Sequence, residues 1–344
     1  MKDSWVMKVF LITGPRQSVV EDLPDPTPKP LEAVVLIERV GICGTDVEFF
    51  NGEMAYLHSG EATYPLSIGH EWCGRVIEVG STEFESWLGK PVTGDTMLGC
   101  GDCSLCRKDL QYLCNSRFEI GIRNGQPGAL AEKLVVPIKA LHELPESMDV
   151  TTGALVEPGG NAWRAVQSCE LQPGERLLIF GTGSIGMLAA QIAKSLGLDV
   201  FLVGNAKADN AFAKGLGFEN VFEFAELPEI EFAAVIDATF SPAIPAVALE
   251  LIQPGGKIIY IGLSSSPSLI DTRKLVLKNI TAIGILSASP GLKPVIEIFA
   301  SGKVDPTPIV GATVSLSEVA NVLSGMRPAN FSKGPKIHVD PRIY

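Results

Sequence analysis

The sequence predicts an α/β protein in which a mainly β first part precedes a doubly wound parallel sheet. Two observations carry this. Between about residues 160 and 290, apolar runs of four to six residues alternate with helix-length amphipathic segments, the rhythm of βαβ units. Before residue 150, strand-like runs are instead separated by dense Gly and Pro punctuation. At 344 residues the chain exceeds one ordinary core, so two domains are expected.

In the first part, residues 34–40 and 74–79 read as strands. In the second, 177–180, 200–203, 234–237, 257–261 and 280–283 are strand-sized, and 186–196 has a helical pattern. Residues 292–301 form a further helix, after which Pro-rich linkage leads to a last strand at 335–339. By pattern alone, these final fifty residues could close either domain. At the other end, Met1-Lys2-Asp3-Ser4-Trp5 turns directly into strand-like sequence and lacks the apolar core of a secretory signal. No apolar run reaches the roughly 18–20 residues of a membrane span. A net charge of −11 opposes contact with a phosphate backbone. Neither a membrane nor a nucleic-acid partner is expected.

Strand 177–180 runs into Gly181-Thr182-Gly183-Ser184-Ile185-Gly186, which opens a helix. Gly181 permits the tight turn, Gly183 lets the backbone approach a pyrophosphate, and Gly186 lets the helix pack closely on the sheet. Ser184 and Ile185 lie in the first turn, whose N–H groups are free to face phosphate oxygens. A plain glycine turn is the alternative, but the strand before and helix after are the context a Rossmann dinucleotide site requires. That fingerprint expects an acidic residue about 20 positions on, to hold the adenosine ribose. Here Gly204, Asn205, Ala206 and Lys207 follow the second strand, with no carboxylate. This leans toward NADP, used in preference to NAD or beside it; an NAD site that holds its ribose by other contacts is the alternative.

Four of the seven cysteines, Cys100, Cys103, Cys106 and Cys114, fall within fifteen residues. Such short arcs suit tetrahedral zinc with four thiolates, an arrangement with no open position and therefore structural. An iron–sulfur cluster is the alternative; metal binding, not a disulfide framework, is the reading for a cytosol-like chain, and a cytoplasmic setting is the default expectation.

Other candidate ligands are scattered: Cys43 in Gly41-Ile42-Cys43-Gly44-Thr45-Asp46, His70 and Glu71 in Gly69-His70-Glu71-Trp72-Cys73-Gly74, and Glu157 before Pro158. Spacing alone does not gather them, and each could be a packed core residue. The motif Gly69-His70-Glu71-x-x-Gly74-x5-Gly80, Cys43 in its turn, the four-cysteine lobe and the late glycine fingerprint occur in that order. Together they resemble the zinc-containing medium-chain alcohol and polyol dehydrogenases.

The resemblance spans essentially the whole chain. It implies a GroES-like catalytic domain over 1–157 with a zinc lobe at 98–116, a Rossmann domain over 158–290, and a return to the catalytic domain over 291–344. It also implies two zinc ions per chain. Cys43, His70 and Glu157 would hold the catalytic zinc, with Glu71 as an alternate carboxylate. Glu157 stands where the alcohol dehydrogenases carry a cysteine. A harder oxygen donor suits chelating diols, which moves the expected substrate toward polyols, sugars or secondary alcohols. Thr45 matches the relay hydroxyl of the family, and Glu48 stands where the alcohol dehydrogenases end the relay in a histidine. Glu119 and Asn161 match positions that approach substrate hydroxyls in related glucose dehydrogenases, although either could be an ordinary loop or helix residue. A threonine-type amino-alcohol dehydrogenase, with Arg123 or Arg164 as carboxylate binder, is a further possibility, as is a non-enzymatic member that binds NADP. Homodimer or homotetramer assembly through residues 278–284 also follows from the resemblance.

Overall fold

The computed structural model describes residues 6–343; the reading made of Met1–Trp5 lies outside the described residues. The chain divides into two units. One takes the chain through Glu157 and regains it at Val310–Ser332 and from Lys336 onward; the other holds Pro158–Ile309 with Lys333–Pro335.

The first unit is built on a seven-stranded sheet. Its path runs Leu141–Glu143, Pro91–Gly94, Glu71–Val79, Glu32–Gly41, Lys336–Asp340, Val310–Ser315, and Lys133–Pro137 also pairs with Glu32–Gly41. Its core is apolar and β-branched, with Val35, Ile37, Val40, Trp72, Val76 and Val339 at or near zero exposure. Register decides what happens at one end of this sheet. Gly41 pairs with Glu71 and, on its other side, with His338. The chain leaving Gly41 toward Cys43, the chain entering Glu71 from His70, and Lys336 therefore meet at one sheet end. A slip of one residue would turn each of these side chains to the opposite face.

The second unit is a six-stranded, wholly parallel sheet in the order Val221–Phe222, Asp199–Val203, Arg176–Phe180, Phe232–Asp237, Ile252–Tyr260, Thr281–Gly284. Its central strands are buried on both faces, as the continuous apolar runs require. The order reverses direction beside Arg176–Phe180, which is where open α/β sheets bind ligands.

Two expectations are corrected. Residues 291–309, expected to belong with the first unit, lie in the second. Helix Leu292–Ala300 packs against the glycines of helix Val156–Ser168: a Cβ on Gly159 would stand 2.9 Å from both Val295 and Phe299. Within the stretch read as Pro-rich linkage, Val310–Ser315 is a strand, parallel to Lys336–Asp340. Its partner lies some twenty residues on, beyond the reach of a local pattern.

Candidate metal centre and dinucleotide cradle

Cys43 is the N-cap of helix Gly44–Asn51, with extended backbone, and Asp46 sits at the third helical position. The Cys43 N–H donates to Asp46 Oδ2 at 2.8 Å, half of a capping box. The same fully buried carboxylate accepts the Gly69 N–H at 3.2 Å on Oδ1, which also lies 3.7 Å from His70 Nδ1. Asp46 thus ties the Cys43 turn to the His70 turn. Burial pushes its carboxyl up from the usual range, a shift the nearby His70 opposes.

The ligand atoms of Cys43, His70 and Glu71 lie within 4.8 Å of one another. Burial pulls the His70 imidazole down, but Asp46, Cys43 and Glu157 outweigh it and hold it well above its ordinary value. Its Nδ1 is buried and has no hydrogen-bond partner among the described residues. Glu157, also buried, acts on His70 through its charge and stands outside the group of three. Glu71 is engaged: Lys336 Nζ donates to its two oxygens at 2.7 and 2.6 Å and to the Ile42 carbonyl at 2.9 Å. Lys336 is 4% exposed and Glu71 2%. Burial works against the Lys336 charge, yet Glu71 and Cys43 hold its pKa above the ordinary lysine value. One sulfur, one imidazole and several carboxylates against a single lysine form a donor set and an electrostatic well that fit a divalent cation.

Thr45 is half-buried, its hydroxyl 3.9 Å from Cys43 Sγ. Glu48, one turn on, is half-buried as well, and burial followed by the Glu53 charge raises its pKa. Glu119 is engaged by its neighbours. It is buried, Arg117 Nε donates to its Oε1 at 2.7 Å, and Arg123 and the Tyr56 hydroxyl stand at 3.7 and 3.4 Å. Arg123 also pairs with Glu61. Asn161 follows Glu157 by four residues on helix Val156–Ser168, hence on the same helix face.

The four lobe cysteines converge as spacing requires, their sulfurs within 4.8 Å of one another. Cys100 and Cys106 Sγ are 3.9 Å apart. Tetrahedral zinc with sulfur bonds of about 2.3 Å needs edges of about 3.8 Å, so the cage fits. Backbone N–H groups of Asp102 and Cys103 lower the Cys100 thiol to about 6, and burial raises Cys106 to about 11.

In the second unit Gly181 has φ of 103°, a conformation glycine adopts without strain. A Cβ on Gly186 would lie 1.9 Å from the Gly181 carbonyl oxygen, whereas one on Gly183 would meet nothing within 4 Å. The turn is closed on its protein side and open at Gly183, at the N-terminus of helix Ser184–Ser195. A pyrophosphate needs that opening. Gly204, buried, ends strand Asp199–Val203, and Asn205 and Lys207 beyond it are exposed.

Sequence reasoning missed Asp46 and Lys336. Asp46 had a usable signal, its spacing of three from an N-cap residue. Lys336 had none, because its partner is 265 residues away.

With two such sites on one chain, the comparisons are consistent throughout. Residues 29–146 match the Alcohol dehydrogenase GroES-like domain, and residues 184–301 match the Zinc-binding dehydrogenase domain. The chain belongs to the zinc-dependent medium-chain dehydrogenases, a family of oxidoreductases. It is 27% identical to a sorbitol dehydrogenase of Halalkalibacterium halodurans over 329 residues, 91% of this chain and 94% of that one. It is 29% identical to an L-threonine 3-dehydrogenase of Coxiella burnetii, covering 76% and 78% of the two chains. A zinc-binding dehydrogenase structure from Sinorhizobium meliloti 1021, bound to NADP, superposes with a TM-score of 0.88 at 25% identity, covering 98% of this chain and 100% of that one.

Proposed function

We propose that the protein transfers a hydride between a polyol, sugar or secondary alcohol and a nicotinamide dinucleotide, NADP in preference to NAD. The observation that carries this is the meeting of Cys43, His70 and Glu71 beside the charge of Glu157. A zinc held by Cys43, His70 and Glu157 would polarise a substrate oxygen as a Lewis acid, and a bound nicotinamide would supply the hydride acceptor.

This chain's own residues do the rest. Asp46 holds the Cys43 and His70 turns in register through its two backbone hydrogen bonds. Lys336 balances the charge of Glu71 and keeps both its oxygens occupied, leaving it as a carboxylate in reserve. Thr45 Oγ1 takes the proton of the substrate hydroxyl, and Glu48, its pKa raised, stands one turn further out to receive it. Glu119 serves through the Arg117 and Tyr56 groups that hold it. An amino-acid substrate is less well supplied: Arg123 is committed to Glu61 and Glu119, and Arg164 donates to the Leu286 and Ser287 carbonyls.

Assembly as a homodimer or homotetramer is part of the same reading. Among the described residues strand Thr281–Gly284 is an open sheet edge, and helix Thr272–Leu277 just before it leaves Val276 and Leu277 79% and 85% exposed. Among the described residues no helix is long and apolar enough to cross a membrane. A reducing cytoplasm suits the four-thiolate lobe.

The test is a steady-state panel of polyols, sugars, simple alcohols and L-threonine, each with NADP and NAD, on zinc-loaded protein. Vicinal diols or sugars turned over at least about tenfold more efficiently than ethanol, with NADP favoured, are expected. Preference for ethanol, or no turnover of any hydroxyl compound, would contradict the reading.

A further inference from the structure

At the end of strand Asp199–Val203, where the dinucleotide fingerprint places its acidic residue, stands Gly204. Its φ is not left-handed, so backbone freedom does not explain the glycine. Volume does. A Cβ on Gly204 would lie 2.3 Å from Asn210 Oδ1 and 2.4 Å from Thr182 Oγ1, closer than real Cβ contacts ever come. Both neighbours are buried, Asn210 at 6% exposure and Thr182 at 5%.

The Asn210 carboxamide is fixed in orientation. Its Nδ2 donates to the Phe222 carbonyl at 3.1 Å, and the Gly204 N–H donates to that same oxygen at 3.3 Å. Turned over, the amide would set two acceptors against each other. Oδ1 is therefore held toward Gly204, buried and, among the described residues, without a donor, a condition that native structures seldom keep. Asn210 is anchored by its hydrogen bond to Phe222, and Thr182 forms a second wall, its Cγ2 3.1 Å from the same Cβ position.

We propose that Asn210, backed by Thr182, is a specificity-determining residue at the ribose end of the dinucleotide site. Its carboxamide fills the volume a side chain at 204 would need, so this strand end cannot carry a carboxylate. The usual carboxylate accepts ribose hydroxyls and repels a 2′-phosphate. Its exclusion leaves an uncharged strand end, followed by exposed Asn205 and Lys207, open to the phosphorylated ribose. The inference rests on the reading that the protein takes a nicotinamide dinucleotide, and it makes a prediction of its own: an acid introduced at 204 alone does not convert the cofactor preference.

The experiment uses zinc-loaded full-length protein, with melting temperature and calorimetric binding of 2′,5′-ADP and 5′-AMP as readouts. Gly204→Ala should lower the melting temperature by roughly 2–12 °C, and Gly204→Asp by at least as much. Neither should gain affinity for 5′-AMP. Adding Asn210→Ala should restore at least half of the loss in each background. In the Gly204→Asp background it should also shift the 5′-AMP to 2′,5′-ADP affinity ratio at least about tenfold toward 5′-AMP. The proposal is overturned if Gly204→Asp alone melts like the wild type and shifts the ratio as far as the double variant, or if Asn210→Ala rescues neither substitution. Where the aspartate variants do not fold, the alanine pair decides between these outcomes. A wild-type preference for 5′-AMP would instead strike the NADP reading, and the rescue would still judge the steric claim.

Discussion

Removing the Lys336 ammonium is the perturbation with the most to say about the metal centre. In Lys336→Met, a side chain of similar length keeps the packing but leaves Glu71, 2% exposed, without the cation that occupies both its oxygens. Breaking a buried pair from one side typically costs about 3–5 kcal/mol, because the remaining charge is stranded. For a unit of this size that corresponds to a fall in melting temperature of roughly 6–20 °C. Glu71→Gln added to Lys336→Met removes the stranded charge and should recover more than half of the loss. The sign of the pH dependence follows from Lys336, whose pKa is raised above the unfolded value. Its stabilisation is complete below about pH 10.5 and is lost as pH rises through the folded value. The wild type should therefore converge toward Lys336→Met only in strong alkali. Melting curves of the three proteins on metal-free samples, so that Glu71 has no other cation, provide the assay. A single variant within 1 kcal/mol of wild type, or a double variant no better than the single, would refute the reasoning.

Other outcomes follow from the same structure. His338 is fully buried, neither ring nitrogen has a hydrogen-bond partner among the described residues, and burial followed by the charges of Lys336 and Arg39 holds its pKa well below the usual value. The unfolded chain takes up a proton below about pH 6.5 that the folded chain refuses, so stability falls with acid by up to about 1.4 kcal/mol per pH unit; His338→Leu should flatten that limb in melts between pH 5 and 6.5. Gly186→Ala sets a Cβ 1.9 Å from the Gly181 carbonyl and should cost about 1–3 kcal/mol of stability while weakening 5′-AMP binding at least about tenfold by calorimetry. Thr45→Val should lower kcat by about 10²-fold or more with Thr45→Ser largely active, since the relay needs a hydroxyl and not a methyl; equal rates for the two would remove Thr45 from the proton path.

How far the molecule could be read from its sequence depended on how local each feature is. The parallel sheet was legible because strands buried on both faces are continuous apolar runs, and helix Ser184–Ser195 because its fingerprint opens it. The cysteine lobe was legible for the same reason, since its ligands lie within fifteen residues. Strand Val310–Ser315 was not, because its partner and its place in the first unit are decided by tertiary pairing. The Cys43–His70–Glu71 convergence is a consequence of the Gly41–Glu71 register, which no single segment encodes. Family resemblance supplied what spacing could not, but it did not supply the Lys336 clamp on Glu71 or the engagement of Glu119 by Arg117. The turn at Gly204 lies between these cases. The missing carboxylate was plain in the sequence, whereas Asn210 as the residue that excludes it required coordinates.

The central claim is that one chain holds two metals in independent sites, Cys43–His70–Glu157 and Cys100–Cys103–Cys106–Cys114. Its most direct test is the zinc content per chain, by elemental analysis, of the wild type, Cys43→Ser and Cys103→Ser. Two zincs in the wild type are predicted, falling to one in Cys43→Ser with the melting temperature little changed and activity abolished, and to one in Cys103→Ser with the melting temperature lowered. One zinc in a fully active wild type, or two retained in Cys43→Ser, would contradict it.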